Sequence, residues 1–203
     1  MENNLLMALL IFSFVMSVTP GPNNIMLLSS GAQFGYKRTL PHIAGIIIGV
    51  ALLLTTLLLG FGAVFQFYPP LYQILQIVGS LYLLWLSWKI ATAPTNTELV
   101  NTNNNISQPM NMLSAITFQF VNPKAWAMGI ASVTTFTLAG EHYFRSGLWI
   151  LACFAIMGFI AISIWAALGQ AIGQYLTTQS RKKKFNYLMG ILTAATILLI
   201  ISD

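Results

Sequence analysis

The chain has 203 residues, 57% of them hydrophobic and 6% charged, with a formal net charge of +5 and a mean hydropathy of +0.76. A soluble domain carries about 25% charged residues, so this composition excludes a water-facing globular surface and points to an all-α integral membrane protein. A single cysteine, Cys153, excludes an internal disulfide; no acid pair, thiol pair or metal-ligand spacing sets out a catalytic or metal centre, and no cofactor motif is present.

The first predicted element, about residues 5–30, has no charged side chain yet contains "SVTPGPNNIMLL". Proline removes a helix hydrogen bond and glycine weakens what remains, so Pro20, Gly21 and Pro22 predict a break inside a spanning segment. Residues 1–20 are expected to stay as part of this span rather than be cleaved, since Glu2 replaces the basic start of a leader and no small-x-small site follows. Charge-free runs then predict spans at about 42–67 and 71–90, divided by Tyr68-Pro69-Pro70. A span needs about 20 apolar residues. His42 follows Pro41 at the start of the second span, where helix entry or contact with lipid headgroups is expected ahead of a proton relay.

Residues 93–110 are a polar linker, expected on the cytoplasmic side. They divide a first three-helix repeat, 1–92, from a second, 111–203. The fourth span, about 111–138, holds "FVNPKAW", so Asn122-Pro123 predicts a second break with Lys124 beside it. Spans at about 147–173 and 185–202 complete six. Three spans per half place equivalent helices in opposite orientation, which is the geometry of inverted repeats with broken helices 1 and 4 meeting near the midplane. Gly31-x-x-x-Gly35, Gly45-x-x-x-Gly49 and Gly169-x-x-x-Gly173 predict close helix contacts, inside one chain or between two copies in a homodimer.

Charge sets the expected orientation. Lys37, Arg38, Lys89 and Arg181 to Lys184 fall in the loops of one side, seven of the nine basic residues. Positive-inside bias puts those loops in the cytoplasm and both termini outside. Topogenesis accounts for the tetrabasic run, with contact to anionic lipid a minor addition and no role for nucleic acid.

Freed backbone groups are tolerated in a bilayer only where they face protein or a wet cavity. The half-helices starting at Pro22 and Pro123 present positive ends, which suit an anionic group. Lys124 is the one charge predicted at depth, and no membrane-embedded acid is available to pair with it. It either pairs with carbonyls or a terminal acid to fix the fold or, as a lysine beside a helix break more often does, marks a substrate pathway. The carbonyls around Val18–Thr19 and Phe120–Val121 suit an ammonium. Thr19, Asn23, Asn24, Asn122 and Lys124 are therefore the expected substrate-binding residues, with Pro20, Gly21, Pro22 and Pro123 as hinges. Together they match a small zwitterionic amino acid.

"TPGPNN" followed a hundred residues later by "FVNPKAW", in a six-span chain of this length, resembles the LysE/RhtB family of amino-acid exporters. The resemblance covers essentially the whole chain, and "LYLLWLSWKIATAPT" brings it nearest the branch that exports cysteine and O-acetylserine. It implies proton-driven antiport of a small neutral amino acid, of the cysteine, O-acetylserine, homoserine or threonine class, across the bacterial inner membrane. Many members carry Asp after the second proline, where this chain has Asn23. That removes the obvious carboxylate for proton coupling and leaves Lys124 as the coupling candidate, losing its proton as substrate leaves. The competing readings are a divalent-cation exporter, which Lys124 opposes by charge, and a non-transporting scaffold, which leaves two matched breaks unexplained.

Overall fold

A computed structural model describes residues 3–68, 70–95 and 108–201. Glu2, Pro69, Asp203 and positions 96–107 of the expected linker lie outside the described residues. Among the described residues every regular element is helical: α1 (Asn3–Val18), α2 (Pro22–Phe34), α3 (Tyr36–Thr56), α4 (Ala63–Phe67), α5 (Pro70–Ala91), α6 (Met112–Val121), α7 (Pro123–Phe136), α8 (Tyr143–Gly173) and α9 (Gln179–Ile201). Helical backbone continues past α3 over Leu57–Phe61 but is kinked at Gly60, where φ is +93°, and a 3-10 turn, Gly140–His142, leads into α8.

Three stretches are long and apolar enough to cross a membrane: Tyr36–Phe61, Pro70–Ala91 and Gly140–Gly173. A fourth is α1 with α2 if that pair, bent by 61°, is counted as one span. Helix α6 is apolar but shorter. Leu59, Ile77, Leu81, Ile191 and Leu198 are each 61–72% exposed, an apolar outer surface suited to hydrocarbon rather than water.

Both breaks form where the sequence places them. The residue before a proline is driven out of helical backbone, and proline at the first helical position costs nothing because its missing N–H had no partner there. Pro22 and Pro123 both start helices in this way. Asn122 sits between α6 and α7 in extended backbone, φ −91° and ψ 105°, and its side chain accepts a hydrogen bond from the N–H of Lys124.

Helix α3 begins six residues earlier than expected, at Tyr36 rather than 42. Pro41 lies in its second turn, where the helix accommodates it. Gly35 links α2 to α3 at φ +79°, in left-handed backbone that disfavours a side chain.

Glycine faces set the closest packing. A methyl group on Gly169 would run into the Leu28 carbonyl of α2, and one on Gly31 into the Ala166 carbonyl of α8. Gly45 and Gly49 bring α3 equally close to Met112, Ala115 and Ile116 of α6. The glycine motifs thus serve contacts within the chain. Each broken helix lies against the second long helix of the opposite half, α1 and α2 on α8, α6 and α7 on α3, while α5 pairs with α9.

Two apolar layers enclose the breaks. Leu9, Leu54, Met128, Ile150 and Phe154 form one. Leu27, Ile43, Ile46, Ala115 and Ile162 form the other.

Candidate functional site

The two breaks meet, and each is closed by a side chain from the other. Pro22 and Pro123 occupy the first position of their half-helices, so Asn23 and Lys124 occupy the second. Asn23 crosses to α6: its Nδ2 donates to Oε1 of Gln119 at 2.9 Å, and Gln119 Nε2 donates back to Asn23 Oδ1 at 3.2 Å. Lys124 crosses the other way. Its Nζ donates to the carbonyls of Thr19 at 2.6 Å and Pro20 at 3.3 Å, at the end of α1.

The carbonyls freed at the end of α1 have further partners. The Asn24 amide fans over those of Ser17, Val18 and Thr19, at 2.9, 3.3 and 3.0 Å. The Trp165 indole donates to the Val18 carbonyl at 3.0 Å. On the second break, Trp126 donates to the Phe120 carbonyl at 2.9 Å and packs against Phe65 and Phe120. Backbone groups in an apolar interior must be satisfied, and these side chains do most of that at each break.

A cavity of about 40 Å³ lies between the breaks. Asn23, Asn24, Gln119, Asn122 and Lys124 give it polar walls, and Ile47, Val50, Met128 and Phe154 give it apolar ones. Lys124 is its only ionisable lining residue, and no acid faces it among the described residues. The volume holds a water or two but not an amino acid.

Four of the five expected binding residues line this cavity: Asn23, Asn24, Asn122 and Lys124. Thr19 does not; its hydroxyl turns back to the Val15 carbonyl at 2.5 Å on an exposed face, and only its backbone oxygen takes part. Of the expected hinge residues, Gly21 and Pro22 reach the cavity. Pro20 lies at the surface, and Pro123 faces α5, where a methyl on Gly79 would meet its ring.

Sequence reasoning passes over Gln119 and reads Trp165 as a bulky packing residue rather than a ligand platform, without its role as a hydrogen-bond donor. Gln119 had a signal, an amide inside an otherwise apolar run three residues before Asn122. Trp165 had none, because its partner is a carbonyl freed 147 residues away. His42 also departs from expectation. It is only 1% exposed, so contact with lipid headgroups is ruled out by its burial.

Comparison with known proteins places this site in context. A family model described as LysE type translocator matches residues 14–201. A cysteine/O-acetylserine efflux protein of Salmonella typhi is 32% identical over 81% of this chain and 82% of its own length. One from Escherichia coli O6:H1 is 30% identical over 83% of this chain and 84% of its own. No solved structure matches.

Proposed function

The chain belongs to the LysE type translocator family, and from that premise we propose that it exports a small neutral amino acid from the cytoplasm by antiport with protons. The relatives named for cysteine and O-acetylserine efflux support that substrate class. We place it in the bacterial inner membrane as six spans, α1 with α2, α3, α5, α6 with α7, α8 and α9, with both termini periplasmic. The crossed packing of each broken helix on the opposite half supports two inverted three-helix repeats.

The single observation that carries the reading is the position of Lys124. It is an ammonium in a cavity without an acid, held by the carbonyls that would otherwise receive a second ammonium. An α-amino acid supplies the missing charge and a replacement cation in one molecule. On binding, its carboxylate takes Lys124, and its ammonium takes the Thr19 and Pro20 carbonyls that Lys124 leaves. The positive start of α2 adds to the carboxylate side. The exchange keeps Lys124 and the Thr19 and Pro20 carbonyls partnered as substrate arrives, while the Asn23–Gln119 pair still has to part for the breaks to open.

The direction of coupling limits Lys124 to this role. An amine that lost its proton as substrate left would send that proton outward with the cargo, which is symport. Lys124 is therefore assigned to the carboxylate and not to the inward proton.

The test is export of O-acetylserine from cells lacking their own exporters, repeated in inside-out vesicles with the proton gradient present and then collapsed. Gradient-dependent accumulation that disappears in Lys124→Met supports the proposal. Equal transport by Lys124→Met and the unaltered chain would sink the site assignment, and failure of the unaltered chain to move any neutral amino acid would sink the function.

A further inference from the structure

A second, larger space lies toward Lys89, where α2 and α5 end and α6 begins. It measures about 570 Å³ and is lined by Ser29, Ser30, Gln33, His42, Tyr82 and Ser114 among others. Small-ligand pockets span about 300–1,000 Å³. This chamber falls in that range, whereas the cavity between the breaks does not.

Its polar wall is built and largely satisfied. Ser30 and Thr39 share a hydrogen bond at 2.9 Å, and Gln33 donates to Ser29 at 3.0 Å and to Asn186 at 3.2 Å. His42 is the exception. It is 1% exposed, lines the chamber, and neither ring nitrogen has a partner. Ser80 is the only other residue with such a buried orphan among the described residues. A buried unsatisfied donor or acceptor is costly, so an imidazole kept there in a largely satisfied wall points to a polar visitor.

The chamber and the broken-helix cavity are stacked on the same three helices. On α2, Asn23 lines the cavity and Met26 the chamber; on α3 the pair is Ile46 and His42; on α6 it is Gln119 and Ser114. These separations of three to five residues correspond to about one helical turn, roughly 5 Å. Met26, which is 5% exposed and shares a buried cluster with Phe118, is part of the chamber's lining.

We propose that this chamber is a second amino-acid station, in series with the cavity at the breaks, and that His42 is the residue that binds substrate there. The inference rests on the amino-acid export proposed above. A neutral imidazole offers one donor and one acceptor, which suit a carboxylate and an ammonium. Lys89, held with its Nζ 4.4 Å from the Trp85 ring centroid, adds a cation to the same lining. The amino acid waits in the chamber until the breaks part, then moves one helical turn to Lys124.

The test uses the full chain carrying Ser114→Cys, in inside-out vesicles treated with a membrane-impermeant maleimide; the native Cys153 is buried. O-acetylserine at ten times its half-saturating concentration should slow labelling of the new cysteine by about tenfold, following 1 + [L]/Kd. Protection should persist when Lys124→Met disables the cavity at the breaks and should fall below twofold with His42→Leu. Thermal unfolding and intact labelling without ligand show whether the His42 variant is folded. If it is not, His42→Gln, which keeps a donor and an acceptor, should retain protection and His42→Ala should not. Protection that is absent in an exporting chain, or that vanishes with Lys124→Met, overturns the second station and leaves the export reading standing. A chain that exports no neutral amino acid at all overturns both.

Discussion

The two helix breaks share a plan, yet they are closed by different chemistry. At each, a proline starts the second half-helix and the next residue reaches across to the other break. From the first break that residue is Asn23, which forms a reciprocal, neutral amide pair with Gln119 at 2.9 and 3.2 Å. From the second it is Lys124, an ammonium resting on the carbonyls of Thr19 and Pro20. A reciprocal amide pair satisfies both partners with fixed geometry and leaves little for a ligand to add. An ammonium on carbonyls can be replaced by another ammonium and drawn away by an anion. In the proposed function one crossing holds the half-helices together and the other exchanges.

The largest effect should come from removing the exchangeable side. Lys124→Met deletes hydrogen bonds from a charged donor, worth about 1.5–3 kcal/mol each. Losing two such contacts to substrate should reduce export by about 100-fold or more, at about 1.4 kcal/mol per tenfold. Transport of labelled O-acetylserine in vesicles measures it. Lys124→Arg should recover part of the rate, because charge is kept while the compact ammonium geometry is lost. If Lys124→Met lowers thermal stability but leaves transport unchanged, the ammonium is a pin like Asn23.

The neutral side should behave in the opposite sense. Gln119→Leu leaves the Asn23 amide without its partner and should cost about 1–3 kcal/mol of stability, read as a lowered unfolding temperature in detergent. Adding Asn23→Leu removes the orphan, so the double variant should be less destabilised than the sum of the two single ones. A coupling energy near zero would show that the pair is incidental.

How much of this was legible in the residues follows from what each feature depends on. Pro20, Pro22 and Pro123 act on their own backbone, so both breaks could be placed from sequence alone. Lys124 stood out because few charges occur in so apolar a chain. The glycines that seat α2 on α8 and α3 on α6 were also visible as spaced motifs, though not which helix each would meet. The partners were not visible. Gln119 and Trp165 bond to groups on other helices and His42 is buried with no partner for its ring nitrogens, and a side chain gives no local sign of what lies across from it. The kink within Leu57–Phe61 was missed for a related reason. Its apolar residues contain no proline, and Gly60 at φ +93° looks in sequence like any glycine near a helix end.

A smaller effect separates backbone from side-chain crowding at Gly21. Its φ of −173° is extended backbone open to any residue, so alanine there introduces no strain in the chain. A methyl group would instead approach Lys124 Cδ to 2.9 Å and Nζ to 3.0 Å, and the lysine must give way. Gly21→Ala should therefore slow export by about tenfold, the cost of roughly one displaced hydrogen bond from a charged donor, and the same lost bond should lower the unfolding temperature only modestly. Glycine-specific backbone demand would show the reverse, a large drop in unfolding temperature at unchanged rate per folded molecule.

The smallest predicted change is at Trp165, and it tests whether the end of α1 needs every cap it has. Its indole donates to the Val18 carbonyl at 3.0 Å, which Asn24 also reaches at 3.3 Å. Trp165→Phe keeps an aromatic ring and removes one donor, so the carbonyl retains a partner and the cost should stay near about 1 kcal/mol. Asn24→Leu strips the longer-reaching cap from three carbonyls at once and should cost more. The double variant leaves the Val18 carbonyl with neither side-chain cap and should lose more stability than the two single losses combined. Simple additivity in unfolding temperature would mean that the indole only fills space, and that Asn24 alone closes the first break.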